Sequence, residues 1–171
     1  MKRIILVIGA VAATTSAAFA QDFEGEIIGL PLGARPAPVV IEDLDGQDND
    51  LGQLVGSRVT LLEFWATWCE NCRALQPELD SAFAEFGDRV TFVAVAVAVS
   101  QSKRSIRRHL ERHPVPYAVR WDTRGRATRA FKAPTTSYIV ILDASGIVTY
   151  TGVGPSQDIR GALRRLVESA P

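Results

Sequence analysis

Residues Val90 to Val99 read VTFVAVAVAV, a run in which Thr91 is the one polar side chain. A strand that is apolar on both faces has to be covered on both. With β-branched residues at nearly every second position, the run predicts a central parallel strand. Parallel neighbours cannot be joined by a tight turn, so each needs a crossover, usually a helix. The surrounding sequence supplies them. Val59 to Trp65 is a second apolar strand, and Asn71 to Phe86 carries apolar residues at 75, 79, 82, 83 and 86, the spacing of a helix that stops at Gly87. Lys103 to His113 predicts a basic helix ended by Pro114, Tyr117 to Trp121 a short strand, and Arg124 to Lys132 a short helix. Ser137 to Asp143 and Ile147 to Gly152 predict a hairpin about Ala144-Ser145-Gly146, and Ser156 caps a closing helix running to about Ser169. Upstream, Pro38 to Leu44 predicts a strand turned at Asp45-Gly46, and Leu51 to Leu54 a helical turn before Gly56. Strands and helices alternate, which gives an α/β domain whose mixed central sheet is flanked by helices and ends in an antiparallel hairpin.

The N-terminus stands outside that pattern. Met1-Lys2-Arg3 is basic, Ile4 to Ala13 is apolar, and Ala18-Phe19-Ala20 has small residues where a signal peptidase reads them. These features predict a secretory signal over residues 1–20. The other use of the uncharged stretch 4–20 is an uncleaved membrane tether, although a spanning helix takes about 20 mainly apolar residues. Residues 21–35 are punctuated by Gly and Pro and are expected as a flexible lead-in to a domain over residues 36–171. The whole chain has a formal net charge of zero, and loss of Lys2 and Arg3 leaves the acids slightly in excess. A net charge near zero argues against an electrostatic grip on nucleic acid, which needs a basic stripe. Export would place the mature chain where disulfides persist.

The chain has only two cysteines, Cys69 and Cys72. A secreted domain stapled for stability shows more of them, at wider spacing. Cys69 falls between the strand ending at Trp65 and the helix beginning near Asn71. There, unpaired backbone N–H groups and the helix macrodipole favour thiolate over thiol. Cys69 is therefore the candidate nucleophile, and Cys72, one turn on, the sulfur that resolves a mixed disulfide. A purely structural disulfide closing so small a ring would contribute only about 2 kcal/mol. A zinc site could be completed by His109 and His113, spaced i,i+4 on the basic helix, but at a separation from the cysteines far outside finger spacing. A c-type haem site needs His directly after the second Cys, where Arg73 stands. Neither a cofactor nor a metal is expected.

Phe64-Trp65-Ala66-Thr67-Trp68-Cys69, followed by Cys72, resembles the active-site block of thioredoxins, in the form typical of the TlpA/ResA-like exported branch. Pro77 stands where thioredoxins kink the active-site helix, and Glu63 where they bury an acid beneath the site. Ala133-Pro134-Thr135-Thr136 and Ser137 to Val140 resemble the cis-proline segment and the strand leaving it, and Asp143 to Gly146 the hairpin that follows. Ile41 to Gly46 and Leu51 to Gly56 resemble the N-terminal extension of the branch. The resemblance covers about residues 36–169 and implies a thioredoxin fold with a short N-terminal β extension. It implies a cis Pro134, an Ala133 backbone that pairs with a substrate strand beside Thr135, and a Glu63 that accepts the Cys72 proton, its pKa raised by burial. Glu63 departs from the usual aspartate, and many TlpA-like proteins place their acid elsewhere. Trp68 is expected as a surface platform for substrate, Trp65 as packing and Trp121 as core. Glu70, beside Cys69, opposes its thiolate and so favours a reducing couple.

The activity implied is that of a thiol–disulfide oxidoreductase in the periplasm or another extracytoplasmic compartment. It would reduce exported proteins that carry Cys pairs and take electrons from a membrane-bound donor. In TlpA-like relatives the substrates include haem-attachment cysteines of apocytochromes and copper-site cysteines. A thiol peroxidase and a redox-inert metal chaperone of the same superfamily are the alternatives. The helix with Arg104, Arg107, Arg108, His109, Arg112 and His113 is expected to be solvated, with a basic face able to dock an acidic partner.

Overall fold

The computed structural model describes residues 28–54 and 58–168. The expected signal and tether over the first twenty residues lie outside this range, as do residues 21–27. Among the described residues no helix is long and apolar enough to cross a membrane.

In chain order the elements are β1 (Val40–Asp43), β2 (Asp48–Asp50), α1 (Leu51–Leu54), β3 (Val59–Trp65), α2 (Glu70–Phe86), β4 (Val90–Val97), α3 (Lys103–Arg112), β5 (Ala118–Asp122), α4 (Arg126–Ala130), β6 (Tyr138–Leu142), β7 (Val148–Val153) and α5 (Ile159–Glu168). The strands form one sheet in the order β2-β1-β5-β4-β3-β6-β7. The apolar run is indeed central: β4 lies parallel to both β3 and β5. Antiparallel pairs complete the sheet on either side, β6 against β3 and β7, and β1 against β5 and β2.

Two successive crossovers, β3–α2–β4 and β4–α3–β5, advance across the sheet in the same direction. Right-handed connections then place α2 and α3 over the same face. Glu63 pairs in register with Ala94, and Trp65 with Ala96, so these four side chains share one face while Val93, Val95 and Val97 point to the other. Alanines at 94 and 96 leave room beneath the two helices. The opposite alternation, all valine, would fill it.

Three expectations need correction. β2 was not foreseen: Asp48-Asn49-Asp50 has no apolar side chain and is a strand only because β1 offers it a ladder. The closing helix is not capped by Ser156. Asp158 Oδ1 accepts from the Gly161 N–H at 2.9 Å and so caps α5. Residues 28–35, expected as part of a flexible lead-in, are fastened to the sheet. Leu30 is buried and donates its N–H to the Tyr138 hydroxyl at 3.2 Å. The Gly33 N–H reaches the Val148 carbonyl at 2.8 Å, and the Val148 N–H returns to the Ala34 carbonyl at 2.9 Å. Gly29 permits this docking, because it takes φ 77° against the Tyr138 ring, where a Cβ would collide.

Candidate active site

Cys69 occupies the N-cap of α2 in extended conformation, and its Sγ accepts the Cys72 N–H at 3.0 Å. The sulfur takes the place an Asp or Ser oxygen holds at other helix starts. Cys69 and Cys72 are joined by a disulfide with Cα atoms 5.3 Å apart. Both are buried, Cys69 at 8% exposure and Cys72 at 6%, so access differs little between them in the oxidised state. On reduction, the N–H that now meets Cys69 Sγ is in place to stabilise its thiolate.

The loop leading into α2 is held from the end of β4. The Thr67 N–H donates to Gln101 Oε1 at 2.9 Å, while Gln101 Nε2 donates to the Val97 carbonyl at 2.6 Å. The Trp68 indole N–H donates to the Val99 carbonyl at 2.8 Å. Trp68 remains half exposed beside an exposed Val99. Gln101 was missed from sequence, since a lone glutamine in a loop carries no local signal. Only the parallel neighbouring of β3 and β4 brings it to the site.

Glu63 lies on β3 and is 4% exposed; its Oε1 has no hydrogen-bond partner among the described residues. Burial in this setting raises its pKa to about 8. It forms part of a pocket of about 500 Å³ that also includes Cys69, Cys72, Trp65 and Ala94. Gln76 and Asp80 of α2, the end of α3, and Tyr117 complete the walls. The Tyr117 hydroxyl accepts from Gln76 Nε2 at 3.1 Å, and its pKa is pushed up by burial first and then by the Glu63 charge. The predicted acid and both cysteines therefore meet around one cavity.

His109 is not on a wholly solvated face as expected. Its ring lies 5.5 Å from that of Trp65 and 4.8 Å from that of His113, and both histidines border the pocket. Burial, then the charges of His113, Arg112 and Arg73, hold its pKa below the ordinary imidazole value. Among the described residues no three His, Cys, Asp or Glu side chains are grouped to hold a metal ion.

Ala133, Pro134 and Thr135 do not border this pocket. Pro134 and Thr135 are exposed, and Ala133 packs against the larger core cluster. Two expectations here are corrected. No cis peptide bond occurs among the described residues, so Pro134 follows a trans bond. The Ala133 N–H is already engaged, donating to the Thr128 carbonyl at 2.9 Å. Lys132, at φ 47°, ends α4 in a left-handed residue and turns that N–H back onto the helix. Trp121 is buried as expected.

A vicinal cysteine pair at the start of a helix, between the central strands of a mixed sheet and above a buried acid, defines a thioredoxin-fold thiol–disulfide oxidoreductase. The chain belongs to the redoxin family, whose family model matches residues 15–166, and within the thioredoxin superfamily it is TlpA/ResA-like. It is 27% identical over 136 residues to the thioredoxin-like protein YneN of Bacillus subtilis, covering 78% of each chain. It is 32% identical over 110 residues to the thiol-disulfide oxidoreductase ResA of that organism, covering 63% of this chain and 60% of ResA. To the thiol:disulfide interchange protein DsbE of Allochromatium vinosum it is 32% identical over 132 residues, covering 73% and 68%. The fold is shared with a crystal structure described as a putative DsbE from Chlorobium tepidum (TM-score 0.70, 23% identity, 82% and 97% covered).

Proposed function

We propose that this oxidoreductase works outside the cytoplasm and runs as a reductase of disulfides in exported proteins. The observation that carries the reading is the buried Glu63 sharing a cavity with both sulfurs. In the forward cycle the Cys69 thiolate attacks a substrate disulfide, one substrate sulfur leaves as thiolate, and a mixed disulfide forms. Cys72 then loses its proton to Glu63 and attacks Cys69 Sγ. The second substrate thiolate departs and the Cys69–Cys72 disulfide closes, two electrons having passed to the substrate. A carboxyl with a pKa near 8 is matched to a thiol, so the transfer runs with little uphill cost in either direction. In the oxidised protein Glu63 is largely protonated at neutral pH and ready to return its proton to Cys72 when a donor reduces the couple.

Export is supported by the basic, apolar and small-residue succession at the N-terminus, and a donor held in the membrane would then regenerate the dithiol. Trp68, half exposed next to Cys69, supplies the surface on which a substrate chain would rest, and the exposed Pro134 and Thr135 are further candidates for contact with it. The test is Cys72→Ser in the native host. A reductase of exported proteins accumulates mixed disulfides on Cys69 that thiol reductant releases. Absence of such adducts, with an unchanged thiol state of exported proteins, contradicts the reading.

A further inference from the structure

The pocket beside the dithiol is bordered by two arginines, Arg73 of α2 and Arg112 at the end of α3, against Asp80 and Glu63. Asp80 is tied to Gln76 Nε2 at 2.8 Å, and Glu63, with a pKa near 8, is mostly neutral at pH 7. The arginines are poorly compensated. Arg73 faces only Glu70, at 3.8 Å with both side chains well exposed, and the Arg112 Nε donates to its own helix at the Arg108 carbonyl, 3.3 Å away. An exposed pair at that distance contributes little. A second feature is independent of charge. Trp65, bordering the same pocket and 93% buried, has its indole N–H without a hydrogen-bond partner among the described residues. A buried donor left open costs free energy unless something polar meets it. With about 500 Å³ available, the cavity has the size of a ligand site rather than of a packing defect.

We propose that this pocket is a subsite for a carboxylate on the substrate polypeptide, so that disulfides with an acidic residue close to the cysteine are preferred. The inference rests on the disulfide-reductase reading and deepens it. Arg73 and Arg112, which border the cavity, attract the carboxylate. The dithiol, on the same wall, then receives the neighbouring sulfur. Such attraction raises the encounter rate and fades with added salt.

The test uses the reduced protein and two cyclic disulfide peptides, identical except for Glu or Gln two residues beyond the second cysteine. Oxidation of the protein is followed by tryptophan fluorescence under single-turnover conditions. The wild type should react about fivefold faster with the Glu peptide at low ionic strength. Arg73→Gln and Arg112→Gln should each shrink that ratio, and the double variant should bring it to unity. Arg104→Gln, on α3 but away from the pocket, should leave it unchanged. Because the readout is a ratio within one preparation, a partly unfolded variant does not alter it. Equal rates for the two peptides in the wild type, or a ratio that survives in the double variant, overturns the subsite. If neither peptide oxidises the protein, the reductase reading itself fails and the subsite falls with it.

Discussion

The indole N–H of Trp68 donates to the carbonyl of Val99 across 2.8 Å, pinning the residue before Cys69 to the loop that leaves the central strand β4. The bond fixes the Trp68 side chain, about half of which remains exposed. Trp68→Phe keeps the apolar face and removes the bond; it should lower stability by about 1 kcal/mol and retain most of the reaction rate. Trp68→Ala should slow oxidation of the reduced protein by a protein disulfide severalfold. Thermal unfolding and single-turnover rates check both, and equal rates for the two variants would contradict a platform role.

Gln101 clamps the same loop with two hydrogen bonds, to the Thr67 N–H and to the Val97 carbonyl. Gln101→Ala leaves both backbone groups to find water and should cost about 1–2 kcal/mol in urea unfolding of the oxidised protein. Amide hydrogen exchange at Thr67 should quicken. An unaltered midpoint would show that water replaces the clamp without loss.

Asp122, buried at the end of β5, accepts from the N–H groups of Ala127 and Thr128 at 3.1 and 2.8 Å and from the Thr128 hydroxyl at 2.8 Å. It organises the short α4, whose end presents Ala133 and Pro134. Asp122→Ala should destabilise by about 2–3 kcal/mol, because the buried Ala127 N–H and the partly buried Thr128 donors lose their shared acceptor. Asp122→Asn should restore part of that loss. Equal losses in the two variants would place the effect in packing instead.

Glu63 gives stability a definite pH dependence. Its pKa is raised from 4.5 to about 8 on folding, so between these values the native state binds a proton that the unfolded chain releases. Stability is then highest below about pH 4.5 as far as this group is concerned, and falls as pH rises through 8. The full span is at most about 5 kcal/mol. Glu63→Gln abolishes the dependence, and its advantage over the wild type should grow from pH 5 to pH 9. Parallel stability curves for the two proteins would contradict a buried, proton-holding Glu63. In kinetics the same variant should slow resolution of a mixed disulfide by about a hundredfold, read by quenching the reaction with acid.

The central strand was legible from its own residues, because a run apolar on both faces has few other fates. The active-site block was legible because residues 64–72 keep chemistry, strand end and helix start in one local stretch. What escaped depends on distant neighbours. β2 exists by virtue of β1, and the cap of α5 shifted from Ser156 to Asp158 because a cap is fixed by backbone geometry that several polar residues could serve. The pocket could not be read from Ala94 and Ala96, which look like ordinary strand filler until their register with Glu63 and Trp65 is known. His109 was assigned to solvent for the same reason. A helix surrounded by arginines gives no sign that one histidine leans on a tryptophan from another strand.

The equilibrium reduction potential of the Cys69–Cys72 couple, measured against defined thiol buffers, tests the reductase reading most directly. A reductase whose nucleophile is flanked by Glu70 and backed by a proton-holding Glu63 should give a value near that of thioredoxin, about −270 mV. A value near about −120 mV, typical of a strong periplasmic oxidant, would reverse the direction of electron flow and contradict it.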